Sequence, residues 1–189
     1  MMTKDQILDA AAQIFRIKGY HATSMSDIAG AVNLQKASLY HHVSSKQEIL
    51  LELLDQALAL LTEEISRVSQ NESLATDEKL RQMATAYLKA LTEHVDLASV
   101  LLMEHRSLEP ELHARHVPNR DRFENLWRDV VDEGMQSGVF CCAETALTVR
   151  TLLGSMNWTI TWFNPAGEQP IEEIADEISN LFLSGLSSH

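Results

Sequence analysis

The chain has 189 residues, enough for one large domain or two small ones around a buried core. Its 45% apolar and 22% charged residues are those of an ordinary globular protein, and no stretch approaches the roughly 18 uncharged apolar residues of a membrane span. A net charge of −12 speaks at first against a nucleic-acid partner, seven glycines and four prolines speak against a turn-rich all-β protein, and no glycine-rich phosphate loop occurs.

The start, MMTKDQILDAAAQIF, is interrupted by Asp5, Gln6 and Asp9 and does not read as a signal peptide. Cys141 and Cys142 are neighbours and cannot staple a fold, so a reducing, cytoplasmic setting is expected. The charge is uneven along the chain. Residues 1–50 carry +1, residues 51–105 carry −6, residues 106–128 carry +1 with five arginines, and residues 129–189 carry −8. An acidic body behind a near-neutral head would orient the molecule head-first toward a polyanion.

Apolar spacing is helical throughout. Residues 3–18 place Ile7, Ala11, Ile14 and Phe15 on one stripe, opened by a Thr3/Gln6 capping box and closed by Gly19. A second box, Ser24 with Asp27, opens a short helix over Met25–Val32. Asn33–Gln35 forms a tight break, Lys36–Val43 a short third helix, and a Ser45/Glu48 box starts a long helix to about residue 68. After a polar connector, helices are expected over 77–94 and 97–105. Pro110 and Pro118 bracket an irregular or single-turn stretch. Helices over 119–137, 143–163 and 171–186 follow, the last two separated by Asn164–Gly167. The fold class is therefore all-α, about nine helices, with a helix-turn-helix domain over 1–47 and a helical bundle over 48–189.

The segment TSMSDIAGAVNLQKASLYHHVSSKQEIL has the anatomy of a helix-turn-helix. Small Ala29 lets the next helix cross closely, Asn33 can take the left-handed turn conformation, and Leu34 and Leu39 plug the turn from below. Gln35, Lys36, Ser38, His41 and His42 then face outward with Tyr40 beside them. Lys46 falls in the first turn of the following helix, where backbone N–H groups already favour a phosphate. The bland alternative is a packed and solvated surface helix.

These residues resemble the N-terminal domain of the tetracycline-repressor (TetR) family of bacterial regulators. The match holds at Thr23, Ile28, Ala29, Lys36, Ser38, Leu39, Tyr40, His41, His42, Ser45 and Lys46. It departs at Asn33 and Ala37, where the family usually has Gly, at Val43, where it usually has Phe, and at Gln35, which replaces a common Ser cap. The resemblance implies that Thr23, Tyr40, His42 and Lys46 hold phosphates, with Ser24 in the DNA-facing set, while Gln35, Lys36, Ala37, Ser38 and His41 face base edges. It also implies a palindromic DNA operator read by a homodimer that pairs through the last two helices. Their broad apolar faces serve equally well as intramolecular core.

The family's body holds the effector. Trp127, Trp158, Trp162, Phe163, Met103, Met156, Leu101, Leu102 and Tyr87 can line a cavity or simply form core. Arg106, Arg115, Arg120, Arg122 and Arg128 can form a mouth for an anion or a solvated face paired with Asp121 and Glu124. EHRSLEPEL, RDRFENLW and GSMNWTITWFNPAG followed by PIEEIAD resemble one subgroup, whose members include repressors of fatty-acid, phenylacetate and steroid-side-chain catabolism released by acyl-CoA thioesters. The resemblance implies an acyl-CoA effector met by Met103, Arg106, Arg120, Trp127, Asn157, Trp158, Trp162 and Phe163, with the helix at 46–68 as the lever to the head. The rival readings are a multidrug-efflux repressor sensing lipophilic cations and a metal or redox sensor using His94, His105, His113, His116, Glu104, Glu109 or the cysteines. No motif supports an enzyme, and no cofactor or metal is expected.

Overall fold

The computed structural model describes residues 3–141 and 144–186. Among these the chain is helical without a strand. Its helices are α1 (Lys4–Lys18), α2 (Met25–Ala31), α3 (Lys36–Leu39), α4 (Lys46–Ser69), α5 (Thr76–Glu93), α6 (Val95–Glu104), α7 (Pro110–Gln136), α8 (Thr145–Asn157) and α9 (Ile171–Leu186). Two 3-10 turns, His105–Ser107 and Trp158–Thr161, follow α6 and α8.

Two compact units emerge. The first takes the chain up to Ala59 together with His94–Asn119, and the second takes Leu60–Glu93 together with the chain from Arg120 onward. The expected domain boundary at residue 47 falls at the start of α4. In the first unit, α1 buries Ile7, Leu8, Ala11 and Phe15 and packs on α2 and α6. In the second, α5 packs along α9, burying Leu80, Met83, Tyr87, Ile174 and Leu183.

Local chemistry sets the first helix starts. Both reciprocal bonds of the Thr3/Gln6 and Ser24/Asp27 boxes are present. At α4, Ser45 accepts the Glu48 N–H, but the Glu48 carboxylate turns to Arg115 at 3.2 Å. Gly19 closes α1 with φ +84°, and Asn33, at φ +55°, is the non-glycine residue in the left-handed region among those described.

Three expectations need correction. Regular helix in α3 ends at Leu39 rather than Val43, although His42 and Val43 still donate to the Leu39 carbonyl. The stretch between Pro110 and Pro118 is helical and continuous with α7. Pro110 occupies the first helical position, where no N–H is needed. Pro118 and Ala114 are both exposed, so Pro118 interrupts the helical bonding on the solvent side of α7, where a missing donor costs least. The expected 143–163 helix tightens to 3-10 after Asn157. The β-branched run Thr159-Ile160-Thr161 disfavours the α-helix, and the Thr159 hydroxyl donates back to the Met156 carbonyl at 2.7 Å.

Candidate functional site

In the first unit, buried Ile28, Ala29, Leu39 and Val43 support α2 and α3 from beneath. This leaves Gln35, Lys36, Ala37, Tyr40 and His41 exposed, and Ser38 and His42 partly so. Beside them Lys4, Tyr40, His41, His42, Ser44, Glu48 and Glu52 line a shallow surface recess, across which Lys4 pairs with Glu52. A four-residue α3 held by apolar anchors can present a polar edge without needing stability of its own.

Three residues of the expected DNA-facing set, Thr23 and Lys46 at phosphates and Ser24 beside them, have other engagements. Thr23 is buried, and its hydroxyl donates to the Gly19 carbonyl at 2.8 Å. The Ser24 hydroxyl donates to Asp27 at 2.6 Å, and Asp27 also takes the Lys18 ammonium at 3.0 Å. These bonds hold the Asp27 carboxyl well below the usual carboxylate range, the Ser24 hydroxyl and N–H contributing most. The Lys46 ammonium donates to the carbonyls of Tyr20 (2.8 Å) and Thr23 (2.7 Å) and lies 4.2 Å from the centre of the Tyr20 ring. Partial burial pushes its pKa down.

Neighbouring residues extend this knot. The Gln47 side chain donates to the Ser107 carbonyl (2.9 Å) and accepts the Glu109 N–H (3.0 Å). Glu104 accepts the Tyr20 N–H at 3.0 Å and the Ser107 hydroxyl at 3.2 Å. Sequence reading did not single out Gln47, and it weighed Glu104 only as a possible metal ligand. Their partners lie 60 or more residues away for Gln47 and 84 for Glu104–Tyr20, so no local pattern marks them.

The residues expected around an effector are dispersed. In the first unit, Met103 is 54% exposed and Arg106 is exposed. In the second unit, Trp127 is wholly buried, edge-on to Tyr87 with centroids 5.8 Å apart, and its indole N–H meets no acceptor among the described residues. The Tyr87 hydroxyl donates to Asn157 Oδ1 at 2.6 Å. Burial raises the Tyr87 pKa, so this phenol stays protonated. Trp158 and Trp162 stand 64% and 50% exposed, so the expected aromatic enclosure gathers at Trp127, Tyr87 and Phe123 instead. Phe163 and Trp162 border an open surface recess ahead of α9.

The arginines divide between the units. Arg115 pairs with Glu48, Arg120 with Asp121 and Arg128 with Glu124. For Arg115 and Arg120 the solvated, paired face is what forms, whereas Arg128 pairs with a Glu124 side chain that is only 14% exposed. Among the described residues no three His, Cys, Asp or Glu side chains gather as a metal site. Cys141 is free and exposed, whereas Cys142 lies outside the described residues.

An all-helical chain whose head packs a tri-helical helix-turn-helix belongs structurally to the DNA-binding regulators. Residues 7–53 match the family described as "Bacterial regulatory proteins, tetR family", and residues 73–186 match "Tetracyclin repressor-like, C-terminal domain". The chain therefore belongs to the TetR family of transcriptional regulators. It is 28% identical to the HTH-type transcriptional repressor KstR2 of Rhodococcus jostii (strain RHA1), covering 98% of this chain and 91% of that protein. The TetR-family regulator PfmR of Thermus thermophilus superposes with a TM-score of 0.86 at 37% identity, covering 97% of this chain and all of the other. AibR, solved with isovaleryl coenzyme A and operator DNA, superposes with a TM-score of 0.86 at 27% identity over 94% of this chain and 96% of its own. Among the described residues no helix is long and apolar enough to cross a membrane.

Proposed function

We propose that the protein is a cytoplasmic, dimeric transcriptional repressor that binds a palindromic operator and is released by an acyl-CoA thioester. The observation that carries the DNA reading is the exposed edge of Gln35, Lys36, Ala37 and His41 on and flanking α3, anchored from below by Leu39. Residues 1–47 supply this head and residues 48–189 the effector-binding and dimerising body. A head of this size covers one half-site, and two-fold pairing sets two such edges about 34–36 Å apart, or a multiple of that. Exposed Leu147 on α8 and Leu181 on α9, 62% and 73% accessible, border an apolar groove with Phe182 and Leu186, and this groove supports pairing through these helices.

The acyl-CoA reading is supported by likeness to a regulator solved with isovaleryl coenzyme A. It is also supported by the buried Trp127 indole N–H beside the Tyr87–Asn157 hydrogen bond, a donor that meets no acceptor among the described residues and would gain one from a ligand carbonyl. The effector needs only to prefer the conformation with misplaced recognition helices. A hundredfold loss of operator affinity requires about 2.7 kcal/mol of such preference.

The test selects duplexes from a random pool with the purified chain, measures binding by anisotropy, and titrates the complexes with short, medium and long CoA thioesters. A palindromic selected sequence released by one thioester class is the expected result. Binding unaffected by every thioester but released by lipophilic cations would transfer the reading to an efflux repressor.

A further inference from the structure

Lys46 occupies the position where the family resemblance places a phosphate contact, yet most of its donor capacity is already committed to the backbone. An ammonium has three N–H groups. Two of them serve the carbonyls of Tyr20 and Thr23, and the cation rests over the Tyr20 ring. Turning Lys46 outward to a phosphate would strand the Thr23 carbonyl in a part-buried turn, leave the Tyr20 carbonyl only the Thr23 N–H at 3.2 Å, and give up the ring contact. The Thr23 carbonyl belongs to the residue just before the Ser24 cap of α2. Lys46 therefore holds the backbone at the point where the helix-turn-helix begins.

The next residue continues the same function. Gln47 grips the corner after α6 with both ends of its amide, taking the Glu109 N–H and giving to the Ser107 carbonyl. Glu104 closes the loop by accepting the Tyr20 N–H. Three segments thus meet at the first turn of α4: the turn after α1, the corner after α6, and α4 itself. Every bond is within the first compact unit.

We propose that Lys46 is a positioning residue for DNA binding rather than a phosphate ligand, acting with Gln47 and Glu104 as a clamp that fixes the turn leading into α2. The inference rests on the reading of the head as a DNA-binding element. It assigns the phosphate contacts of this region to other side chains, and it makes operator affinity depend on an uncharged residue, Gln47, whose amide is engaged by the Ser107–Glu109 backbone.

Salt dependence separates the two roles, because each phosphate contact contributes a slope of about 0.9 to log affinity against log salt concentration, whatever the sequence bound. Lys46→Met and Gln47→Leu are compared with the wild-type chain on a duplex that the wild type selected from a random pool and on an unrelated duplex. Thermal melts followed by circular dichroism check folding. A positioning role predicts about tenfold or greater weakening on the selected duplex for both variants, the loss of a charge-assisted or buried hydrogen bond being of that order. It also predicts wild-type salt slopes on both duplexes. A slope lower by about 0.9 on both duplexes for Lys46→Met, or wild-type affinity for Gln47→Leu, overturns the clamp. Gln47→Leu decides the question alone should Lys46→Met fail to fold. A wild-type chain that binds no duplex removes instead the DNA reading itself, which distinguishes the two failures.

Discussion

His116 Nδ1 lies 2.8 Å from Asp55 Oδ1, joining α7 to α4 through an imidazole that is 3% exposed and a carboxylate that is 33% exposed. A buried ring nitrogen that loses its partner keeps the full cost of its desolvation. Asp55→Ala is therefore expected to destabilise the protein by about 1–3 kcal/mol, and Asp55→Asn by less, because the amide oxygen still accepts. Urea unfolding midpoints at neutral pH measure both, and an Asp55→Ala midpoint equal to wild type would show the pair to be idle.

Gly134 sits on α7 beneath the ring of Phe140, where an added Cβ would come 2.1 Å from Cδ2 and 2.7 Å from Cγ. Replacing a helical glycine with alanine ordinarily gains about 1 kcal/mol. Here the ring is buried, so making room for the methyl disturbs packed surroundings, and overpacking of this kind costs about 1–3 kcal/mol. Gly134→Ala should thus destabilise, and adding Phe140→Leu should recover part of the loss. Strict additivity of the two changes in unfolding free energy would contradict this contact.

The Asp27 carboxyl is held below its ordinary range in the folded state by Ser24 and Lys18. Its contribution to stability is therefore complete above the unfolded value of about 3.9 and disappears as the pH falls toward the folded one. Asp27→Asn removes this dependence. The gap in urea midpoint between wild type and Asp27→Asn should be widest near neutrality and narrow progressively below about pH 4. A gap that widens in acid would have the wrong sign.

Tyr87 is fully buried, and its hydroxyl finds Asn157 Oδ1 at 2.6 Å. Tyr87→Phe preserves the ring contacts with Phe123 and Trp127 while removing this one bond, so a loss of about 0.5–1.5 kcal/mol is expected. Calorimetry of the two proteins would measure it. A loss above about 3 kcal/mol would mean that the ring packing itself had moved.

Lys36 lies exposed at the start of α3. On the proposed function, Lys36→Ala relaxes discrimination at one operator position by about 1–3 kcal/mol. Repeating the random-pool selection with the variant reads this directly, and an unchanged consensus would remove Lys36 from base readout.

Much of the head was legible because its determinants are local. The boxes at Thr3/Gln6 and Ser24/Asp27 span three residues each, Gly19 and Asn33 act through their own φ angles, and the stripe of Ile7, Ala11 and Phe15 repeats with the helical turn. These features, with the spacing of Leu39 and Lys36, were enough to specify an all-helical chain with a helix-turn-helix head, and the resemblance of that head to a known family supplied the regulator. Tertiary structure decided whatever depends on partners far along the chain. It sent Lys46 to the carbonyls of Tyr20 and Thr23 and Gln47 to the backbone beyond α6. It carried α7 through Pro118, and it left Trp158 and Trp162 outside while enclosing Trp127. Periodicity marks which residues share a helix face, but not what covers that face. Hydrogen-bond partners and burial are settled only when distant segments pack together, because a donor or an apolar ring takes its energy from whatever that packing brings within reach.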